Sequence, residues 1–174
     1  MPIDAELMSA LNRPGSPVLD GVMAALSNRG LLLAVGGVAT IWLWLKSPHK
    51  WLAIVLFWAA IGLSDLVAVR VTKPLISRTR PCQSDAKHVK APLGCGSGQS
   101  FPSAHASDTM AAATVLAWAA PALSAVGIVL SLAVGVSRVY LGVHWPTDVI
   151  GGWLIGAVIG SALIFLARLR YTVR

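Results

Sequence analysis

Two histidines and one aspartate are the side chains in this sequence best suited to catalysis. His105 follows a Phe-Pro-Ser-Ala segment, and His144 precedes Asp148 by four residues. Two imidazoles can divide the roles of nucleophile and general acid, and a carboxylate beside one of them can hold that ring in one tautomer. Pro146 predicts a helix start. On a helix, the four-residue spacing would place His144 and Asp148 on one face.

Three cations stand close to these residues in the sequence. Lys73 and Arg80 lie in the segment 73–81, and Arg138 precedes His144 by six residues. The planar fork of an arginine matches phosphate oxygens, and a lysine adds a compact charge. If a helix starts near Ser103 and Ala104, its free N–H groups would add donors for an anion. The residue types therefore predict a site that binds and attacks a phosphoryl group.

A catalytic metal or a nucleic-acid partner fits this set poorly. Two histidines and an aspartate could ligate zinc, but the neighbouring cations would repel a metal ion, and the cysteines lack metal-ligand spacing. We therefore expect no metal and no cofactor. A net charge of +7 and a pI of about 10.1 would suggest nucleic-acid binding in a soluble protein. Here the cations are too few and too localised for a duplex footprint.

The composition places the chain in a lipid bilayer. Of its 174 residues, 56% are hydrophobic and only 12% are charged, with a mean hydropathy of +0.71. An average soluble domain has about 25% charged residues, so this chain cannot cover a water-exposed surface with polar groups. The length suits one membrane-embedded domain over residues 1–174.

Five apolar segments have lengths near the roughly 20 residues that cross a hydrocarbon core. The predicted fold is an all-α polytopic transmembrane bundle. Residues 1–29 predict short helices that lie at the membrane surface or act as solvated packing elements. A sixth span would result if residues 17–29 enter the bilayer. The five predicted spans are residues 30–45, 51–72, 104–120, 122–141 and 147–167.

The distribution of positive charge predicts the orientation. The turn at 46–50 and the tail after residue 167 carry basic residues and no acidic ones, which is typical of the cytoplasmic side. With five spans, the 73–103 loop and the 138–146 turn then face the periplasm. We expect a bacterial inner-membrane protein with a cytoplasmic C-terminus. The 73–103 loop is itself basic, against the rule, and we interpret its cations as phosphate ligands.

The same span boundaries bring the reactive residues together. Span two ends near Lys73, span three begins near His105, span four ends near Arg138 and span five begins near Asp148. Hydropathy alone thus predicts that all of them lie at one outer mouth. Arg78, in the same loop, is either a fourth phosphate contact or a surface charge.

The two cysteines, Cys82 and Cys95, both lie in the 73–103 loop. In an oxidising compartment they would form a disulfide, which the chain-entropy estimate values at about 3 kcal/mol. The alternative is a pair of free thiols, and the sequence leaves both open.

The candidate site residues lie in three reactive segments, residues 73–81, 101–105 and 137–148. These segments closely resemble the signature motifs of the type 2 phosphatidic acid phosphatase family. This family shares a superfamily with bacterial acid phosphatases and vanadium haloperoxidases. Its patterns are K-x6-R-P, P-S-G-H and S-R-x5-H-x3-D. One position departs: Ala104 replaces the glycine, which keeps the backbone N–H but narrows the pocket. The matching residues are Lys73, Arg80 and Pro81; Pro102, Ser103 and His105; and Ser137, Arg138, His144 and Asp148.

The resemblance implies a role for each residue. His144 attacks phosphorus and forms a phosphohistidine, with support from Asp148. His105 protonates the leaving oxygen and then activates water. The phosphoryl oxygens bind Lys73, Arg80, Arg138 and the backbone around Ser103 and Ala104.

Several functions fit this site. We expect a lipid phosphatase, with undecaprenyl diphosphate as the leading substrate because an outward-facing site would serve the recycling of a lipid carrier. Phosphatidylglycerol phosphate, phosphatidic acid and lipid A phosphate are alternatives. A lipid phosphotransferase would use the same phosphohistidine. A vanadate-dependent haloperoxidase fits the small membrane-embedded chain poorly, and a non-enzymatic membrane protein fits a nearly complete motif set poorly.

Overall fold

The computed structural model describes residues 2–13, 15–85 and 88–172, and within these ranges the chain contains helices and no strand. The predicted all-helical fold is confirmed. The last two residues of the predicted basic tail lie outside these ranges. The α-helices are α1 (Pro2–Leu11), α2 (Pro17–Leu26), α3 (Arg29–Lys46), α4 (Lys50–Leu66), α5 (Lys73–Ile76), α6 (Pro81–Ser84), α7 (Ala104–Ala119), α8 (Ser124–Tyr140) and α9 (Pro146–Thr172); a π-helical stretch, Val67–Thr72, joins α4 to α5, and a 3-10 turn, Pro121–Leu123, precedes α8.

Helices α3, α4, α7, α8 and α9 overlap the five predicted spans, although α4 ends at Leu66 and the predicted span 51–72 continues through the π-helical stretch. In the described part of the chain, four helical stretches are long and apolar enough to cross a membrane: Arg29–Lys46, Lys50–Ser84, Pro121–Tyr140 and Pro146–Leu169. Helix α7 has only 16 residues, fewer than the roughly 20 that cross the hydrocarbon core unaided. It packs against α9, α8 and α4 and forms the centre of the bundle.

The direction of each helix follows from short connections. Residues 47–49 join α3 to α4, and residues 141–145 join α8 to α9, so the members of each pair run in opposite directions. The carbonyl of Ser27, just before α3, accepts a hydrogen bond from His105 at the start of α7. Consequently α3, α7 and α9 begin at one end of the bundle, and α4 and α8 finish there. We call this the site end.

Helices α7 and α9 approach so closely that α9 needs glycine at the contact. A Cβ atom on Gly156 would lie 2.1 Å from the carbonyl oxygen of Ser107, and one on Gly152 would lie 2.5 Å from the carbonyl oxygen of Ser103. Small residues at four-residue spacing allow this approach in lipid, where close van der Waals packing holds helices together. The contact fixes the N-terminus of α7 against the first turns of α9.

Replacing Gly156 by Ala is expected to destabilise the protein by about 1–3 kcal/mol, because the added methyl group would overlap backbone atoms that cannot rotate away. The matched control is Gly37→Ala on α3, where an added Cβ meets nothing within 4 Å. Alanine favours a helix over glycine by about 1 kcal/mol, so the control should be neutral or stabilising. Thermal unfolding of both variants in detergent measures this. Equal shifts would contradict the packing account.

Helices α1 and α2 attach to the site end through polar contacts. Asn12 donates to the carbonyls of Tyr140 at 2.6 Å and Lys90 at 2.8 Å. Asp20 accepts hydrogen bonds from Lys90 at 2.5 Å and Tyr140 at 2.6 Å. The hydroxyl groups of Ser27 and Ser137 lie 2.8 Å apart. The N-terminal segment therefore packs on the loops that carry the predicted site.

A disulfide closes part of the outer loop. Cys82, in α6, is bonded to Cys95, and their Cα atoms lie 5.7 Å apart. The backbone N–H of Cys82 also donates to the carbonyl of Gly142 at 3.2 Å. This bond links the loop to the turn between α8 and α9. Gly142 in that turn has a φ of +71°, a conformation that glycine adopts without steric cost.

Candidate active site

All eight predicted site residues lie at the site end. Each one sits at a helix terminus or in an adjoining turn, where a rigid helix fixes its backbone. Ser103, Ala104 and His105 begin α7; Arg138 is in the last turn of α8; His144 is in the turn before α9, and Asp148 is in its first turn; Lys73 begins α5, and Arg80 immediately precedes α6.

His144 and Asp148 form the centre of the site. The His144 side chain is buried, with 3% of the residue exposed, and Asp148 is fully buried. His144 Nδ1 lies 3.6 Å from Asp148 Oδ2, slightly beyond hydrogen-bond length, and has no other hydrogen-bond partner. Catalytic hydrogen bonds are often this long before substrate binds. The carboxylate stands where it can hold a proton on Nδ1 and leave Nε2 free to attack.

Helix α9 brings Asp148 to His144 by a route that the sequence did not predict. The helix begins at Pro146, after His144, so the two residues do not share a helical face. Asp148 is instead the third residue of the helix, and its Oδ2 accepts the backbone N–H of Trp145 at 2.8 Å. This contact is half of a capping box. The expectation of a shared face was wrong, although the juxtaposition it predicted is present.

Arg80 is the cation that contacts His144 directly. Its Nη1 lies 3.5 Å from His144 Nε2 and donates to the carbonyl of Val143 at 2.9 Å. Its Nε donates to the carbonyl of Gly98 at 3.2 Å. Backbone carbonyls therefore hold the guanidinium beside the nitrogen that would attack phosphorus. A phosphoryl group at Nε2 would lie within reach of this arginine.

Lys73 and Arg138 complete the positive surroundings. Lys73 Nζ donates to the carbonyl of Gln99 at 2.7 Å and lies within electrostatic range of Arg80, Arg138 and Asp148. Arg138 also acts electrostatically on His144, and its buried Nε has no hydrogen-bond partner. These cations have donors to offer an anion.

The N-terminus of α7 presents further donors. Ser103 is its N-cap residue, yet the Ser103 hydroxyl makes no capping bond and has no other partner. The Ser103 N–H donates to the backbone carbonyl of Asp148 at 2.9 Å, which leaves the first-turn N–H groups from Ala104 onwards. Free N–H groups at a helix start favour an anion. Ala104 is buried, with 6% exposed.

His105 is held by the N-terminal segment. Its Nε2–H donates to the carbonyl oxygen of Ser27 at 3.1 Å, and the ring lies within electrostatic range of His144 and Arg138. Its sequence neighbours did not indicate the contact with Ser27. The bond fixes the ring and leaves Nδ1 as the nitrogen available for another partner.

Two site residues were missed or misjudged from the sequence. Arg78 is neither a surface charge nor placed to serve mainly as a phosphate contact, because its guanidinium bridges Asp148 and Asp4. Asp4 belongs to α1 and is 2% exposed. The position of Arg78, two residues before Arg80, could have indicated that it belongs to the site. Nothing in the sequence around Asp4 pointed to the site.

The pKa of His144 is lowered from an ordinary value of 6.5 to about 4, chiefly by burial and also by the charges of Arg138 and Arg80, while the contact with Asp148 opposes the shift. A nucleophilic imidazole must be unprotonated. The acidic limb of kcat/KM should therefore fall near pH 4 instead of near pH 6.5. A pH profile of phosphate release at subsaturating substrate tests this. An acidic limb at pH 6–7 that shifts in an Arg80 variant would assign the limb to His144 and show that the pKa of His144 is not lowered.

A cavity of about 370 Å³ lies beside the catalytic cluster. It is lined mostly by apolar side chains of α3, α4, α7 and α8, including Phe57 and Leu116. His105 is part of its wall, as are the ionisable residues Arg29, Asp65 and Asp108. A volume of this size is within the range of ligand cavities, about 300–1,000 Å³. The cavity can therefore hold an apolar part of a ligand whose polar end reaches the histidines.

Comparison with known proteins assigns this architecture to a family. The model of the PAP2 superfamily matches residues 50–171, which include all three reactive segments. The chain belongs to the PAP2 superfamily. The predicted resemblance to type 2 phosphatidic acid phosphatases is thereby confirmed.

Named PAP2 relatives are phosphatases. The chain is 31% identical over 158 residues to an undecaprenyl-diphosphatase of Sulfolobus acidocaldarius, a match that covers 88% of this chain and 73% of that protein. It is 40% identical over 102 residues to a decaprenylphosphoryl-5-phosphoribose phosphatase of Mycolicibacterium smegmatis, covering 55% of this chain and about half, 52%, of that one. This PAP2 chain is accordingly an enzyme of the same class, a hydrolase of phosphate esters.

Solved PAP2 structures share the fold. A transmembrane PAP2-type phosphatidylglycerolphosphate phosphatase from Bacillus subtilis superposes with a TM-score of 0.72 at 26% identity, covering 95% of this chain and 85% of that one. LpxE from Aquifex aeolicus gives a TM-score of 0.74 at 24% identity, covering 93% and 94%. The second likeness is one of fold alone. The apolar helices and the likeness to a transmembrane PAP2 structure identify this PAP2 chain as a multi-pass membrane protein.

Proposed function

We propose that this chain is a metal-independent lipid phosphatase that removes a phosphomonoester or terminal phosphate from a membrane lipid through a phosphohistidine. Undecaprenyl diphosphate is its leading substrate. The observation that carries the proposal is the buried His144, with the Asp148 carboxylate 3.6 Å from Nδ1 and the Arg80 guanidinium 3.5 Å from Nε2. This arrangement favours attack on an anionic phosphoryl group.

The reaction would proceed in two displacements. The lone pair of His144 Nε2 attacks phosphorus, the bond from phosphorus to the leaving oxygen breaks, and His105, in its imidazolium form with hydrogen on both ring nitrogens, gives the Nδ1 proton to that oxygen. Water then attacks the phosphohistidine, His105 accepts its proton, and inorganic phosphate leaves with the histidine restored. Arg80, Lys73 and Arg138 neutralise charge on the phosphoryl oxygens, where fixed cations contribute most.

The donor set supports chemistry without a metal. In the part of the chain that the structure describes, no three His, Cys, Asp or Glu side chains are grouped to hold an ion. Arg80 lies against His144 and Arg78 against Asp148, so the potential ligands already have cationic neighbours. These cations can do the electrostatic work that a divalent ion does in other phosphatases.

The cavity beside His105 supports a lipid substrate. Its space of about 370 Å³ is within the size range of ligand cavities, about 300–1,000 Å³. It would hold the portion of a lipid tail next to the phosphate, with the remainder in the bilayer between the apolar helix faces. A water-soluble phosphate ester would gain nothing from this wall.

The relatives support several head groups. One relative is an undecaprenyl-diphosphatase, another a decaprenylphosphoryl-5-phosphoribose phosphatase. Others are named lipid A 4'-phosphatase, from Bacteroides thetaiotaomicron, and phosphatidylglycerophosphatase B, from Bacillus subtilis. The polyprenyl names and the apolar cavity favour a polyprenyl substrate.

The decisive experiment measures phosphate release by purified protein in detergent, with a chelator present, from a panel of lipids. The panel contains undecaprenyl diphosphate, decaprenylphosphoryl-5-phosphoribose, phosphatidylglycerol phosphate, phosphatidic acid and lipid A. We expect the highest kcat/KM for undecaprenyl diphosphate and no loss with chelator. Acid-labile, alkali-stable labelling of the protein by substrate phosphate would identify the phosphohistidine. Chelator-sensitive release, or no labelling, would contradict the mechanism.

A phosphotransferase would use the same first displacement, so the acceptor must be tested separately. Water should be the acceptor, and inorganic phosphate should equal the lipid consumed when other lipids are added. Formation of a second phospholipid in place of free phosphate would reject the hydrolase.

We further propose that the whole chain is one functional unit in the inner membrane, with the site end facing the periplasm and the C-terminus in the cytoplasm. The basic turn at 46–50 lies at the end opposite the site, as the positive-inside rule requires. The disulfide between Cys82 and Cys95 suits an oxidising compartment. Labelling of a cysteine introduced at Ser47 in intact and permeabilised cells tests the orientation; labelling in intact cells would reverse it.

A further inference from the structure

We propose that Asp4 and Arg78, called here the Asp4–Arg78 pair, position Asp148 against His144, so that the N-terminal helix α1 is part of the catalytic apparatus. Asp4 lies outside the three reactive segments, and Arg78, although within the segment 73–81, takes no part in the mechanism above. The inference rests on the proposed function, since it concerns how the nucleophile of that reaction is held. Asp4 and Arg78 act through Asp148 and are positioning residues.

The geometry links α1 to the nucleophile in three steps. Asp4 accepts a charged hydrogen bond from Arg78 Nη2. Arg78 Nη1 donates to Asp148 Oδ1 at 2.6 Å. Asp148 Oδ2 then faces His144 Nδ1 at 3.6 Å. Oδ1 of Asp148 is thus directed towards Arg78, while Oδ2 faces the imidazole and also accepts hydrogen bonds from Ser100 and Trp145.

Other contacts make the arrangement rigid. Thr147 donates its backbone N–H to Asp4 Oδ1 at 3.0 Å and its hydroxyl to Asp4 Oδ2 at 2.6 Å. Arg78 Nη1 also lies 2.6 Å from that hydroxyl, and its guanidinium stacks 5.4 Å from the centre of the Trp145 ring. Asp4 therefore ties down both the arginine and the first turn of α9, which carries Asp148.

The charge balance explains why one arginine needs two carboxylates. Arg78 faces Asp148 alone if Asp4 is neutral, and its full attraction then pulls that carboxylate away from the imidazole. With Asp4 ionised, the guanidinium is shared between two acids. Burial raises the pKa of Asp4, but hydrogen bonds from Thr147 and Arg78 outweigh it and hold the pKa below its ordinary value. Asp4 is thus charged at working pH.

The test is Asp4→Asn, which keeps the shape and removes the charge. We expect kcat for the best lipid of the panel to fall about 10- to 100-fold, the cost typical of a misplaced catalytic group. KM should stay within about twofold, because neither residue binds the substrate. A merely structural role would lower the amount of folded protein and leave kcat per folded molecule unchanged.

Two matched controls separate position from stability. Glu6→Gln removes an acid from the exposed face of the same helix and should change nothing. Asp20→Asn breaks another contact that tethers the N-terminal segment, to Lys90 and Tyr140, and should lower the thermal midpoint without lowering kcat. If Asp20→Asn lowers kcat as much as Asp4→Asn, the N-terminal segment acts only through stability and the proposal fails.

A double-mutant cycle tests the linkage itself. Arg78→Gln should lower kcat by a similar factor, and Asp4→Asn should add little in its presence, because both changes break one chain of contacts. Fully additive losses would overturn the proposal. If Asp4→Asn does not fold, Thr147→Val removes only the hydroxyl that contacts both members of the pair. It should lower kcat about 3- to 10-fold, and a wild-type kcat in this variant would overturn the proposal.

The outcome is distinguishable from failure of the proposed function. Wild-type protein without phosphate release from any lipid would reject the function. Active wild-type protein with an equally active, folded Asp4→Asn variant would reject only the positioning role. A raised KM at unchanged kcat would also reject it, since it would place Asp4 in substrate binding.

Discussion

His144→Ala is expected to lower phosphate release about 10⁵-fold or more, the largest effect of any single substitution in this chain. In the proposed mechanism this substitution removes the nucleophile and with it the covalent route, so the residual rate would reflect only binding and charge neutralisation. His144 is 3% exposed, so alanine also leaves a small cavity. Thermal unfolding must therefore accompany the assay. Single-turnover phosphate release from the best lipid is the measurement.

The matched control is His88→Ala, because His88 lies in the same outer loop with 80% of its side chain exposed. It should retain wild-type activity. His105→Ala gives a third readout. With 4-nitrophenyl phosphate, whose weakly basic leaving group departs as the nitrophenolate anion without a proton, it should still release nitrophenolate and accumulate labelled protein, whereas His144→Ala should do neither. Labelling of the His144 variant would assign the nucleophile to another residue.

Asp148→Asn is expected to lower kcat about 10³- to 10⁴-fold with little change in KM. The carboxylate of Asp148 accepts hydrogen bonds from Ser100, Trp145 and Arg78. An amide has only one oxygen, so it cannot accept these bonds and also accept a hydrogen bond from the Nδ1–H of His144. The imidazole would then take the other tautomer, with hydrogen on Nε2 and no lone pair for phosphorus. The tautomer can be read from ¹⁵N shifts of labelled histidine.

The burial of Asp148 requires a stability check for this substitution. An amide in this position leaves Arg78 without one of its acids, so the thermal midpoint should fall as well. Asp85→Asn, an exposed change in the outer loop, is the matched control and should leave both rate and midpoint unchanged. An Asp148→Asn protein that is folded and retains more than a tenth of wild-type kcat would show that His144 needs no carboxylate.

The sequence predicted the helices and the convergence of the site for a clear physical reason. Long apolar runs can cross a bilayer only as helices, so hydropathy placed α3, α4, α8 and α9 and hence the ends that carry Lys73, Arg138 and Asp148. The helix start at Pro146 followed from proline chemistry. Helix α7 was harder to predict from hydropathy, because its 16 residues pack among other helices and its length need not match the bilayer thickness.

What the sequence could not predict are contacts between segments far apart in the chain. The Asp4–Arg78 contact joins residues 74 positions apart, and the bond from His105 to Ser27 joins residues 78 positions apart. Short helices such as α1 carry no hydropathy signal for where they dock. A lone acid near an N-terminus looks like a solvated charge until the packing of α1 against α8 and α9 is known.

The contact between Asp4 and Thr147 can form only late in the synthesis of the chain. These residues are 143 positions apart, and ribosomes add about 5–20 residues per second, so Thr147 is synthesised roughly 7 to 30 s after Asp4. Until α9 has docked, a nascent chain cannot hold Asp148 against His144. Catalytic competence therefore requires α9 to be translated and docked, and phosphate release reports that this has happened.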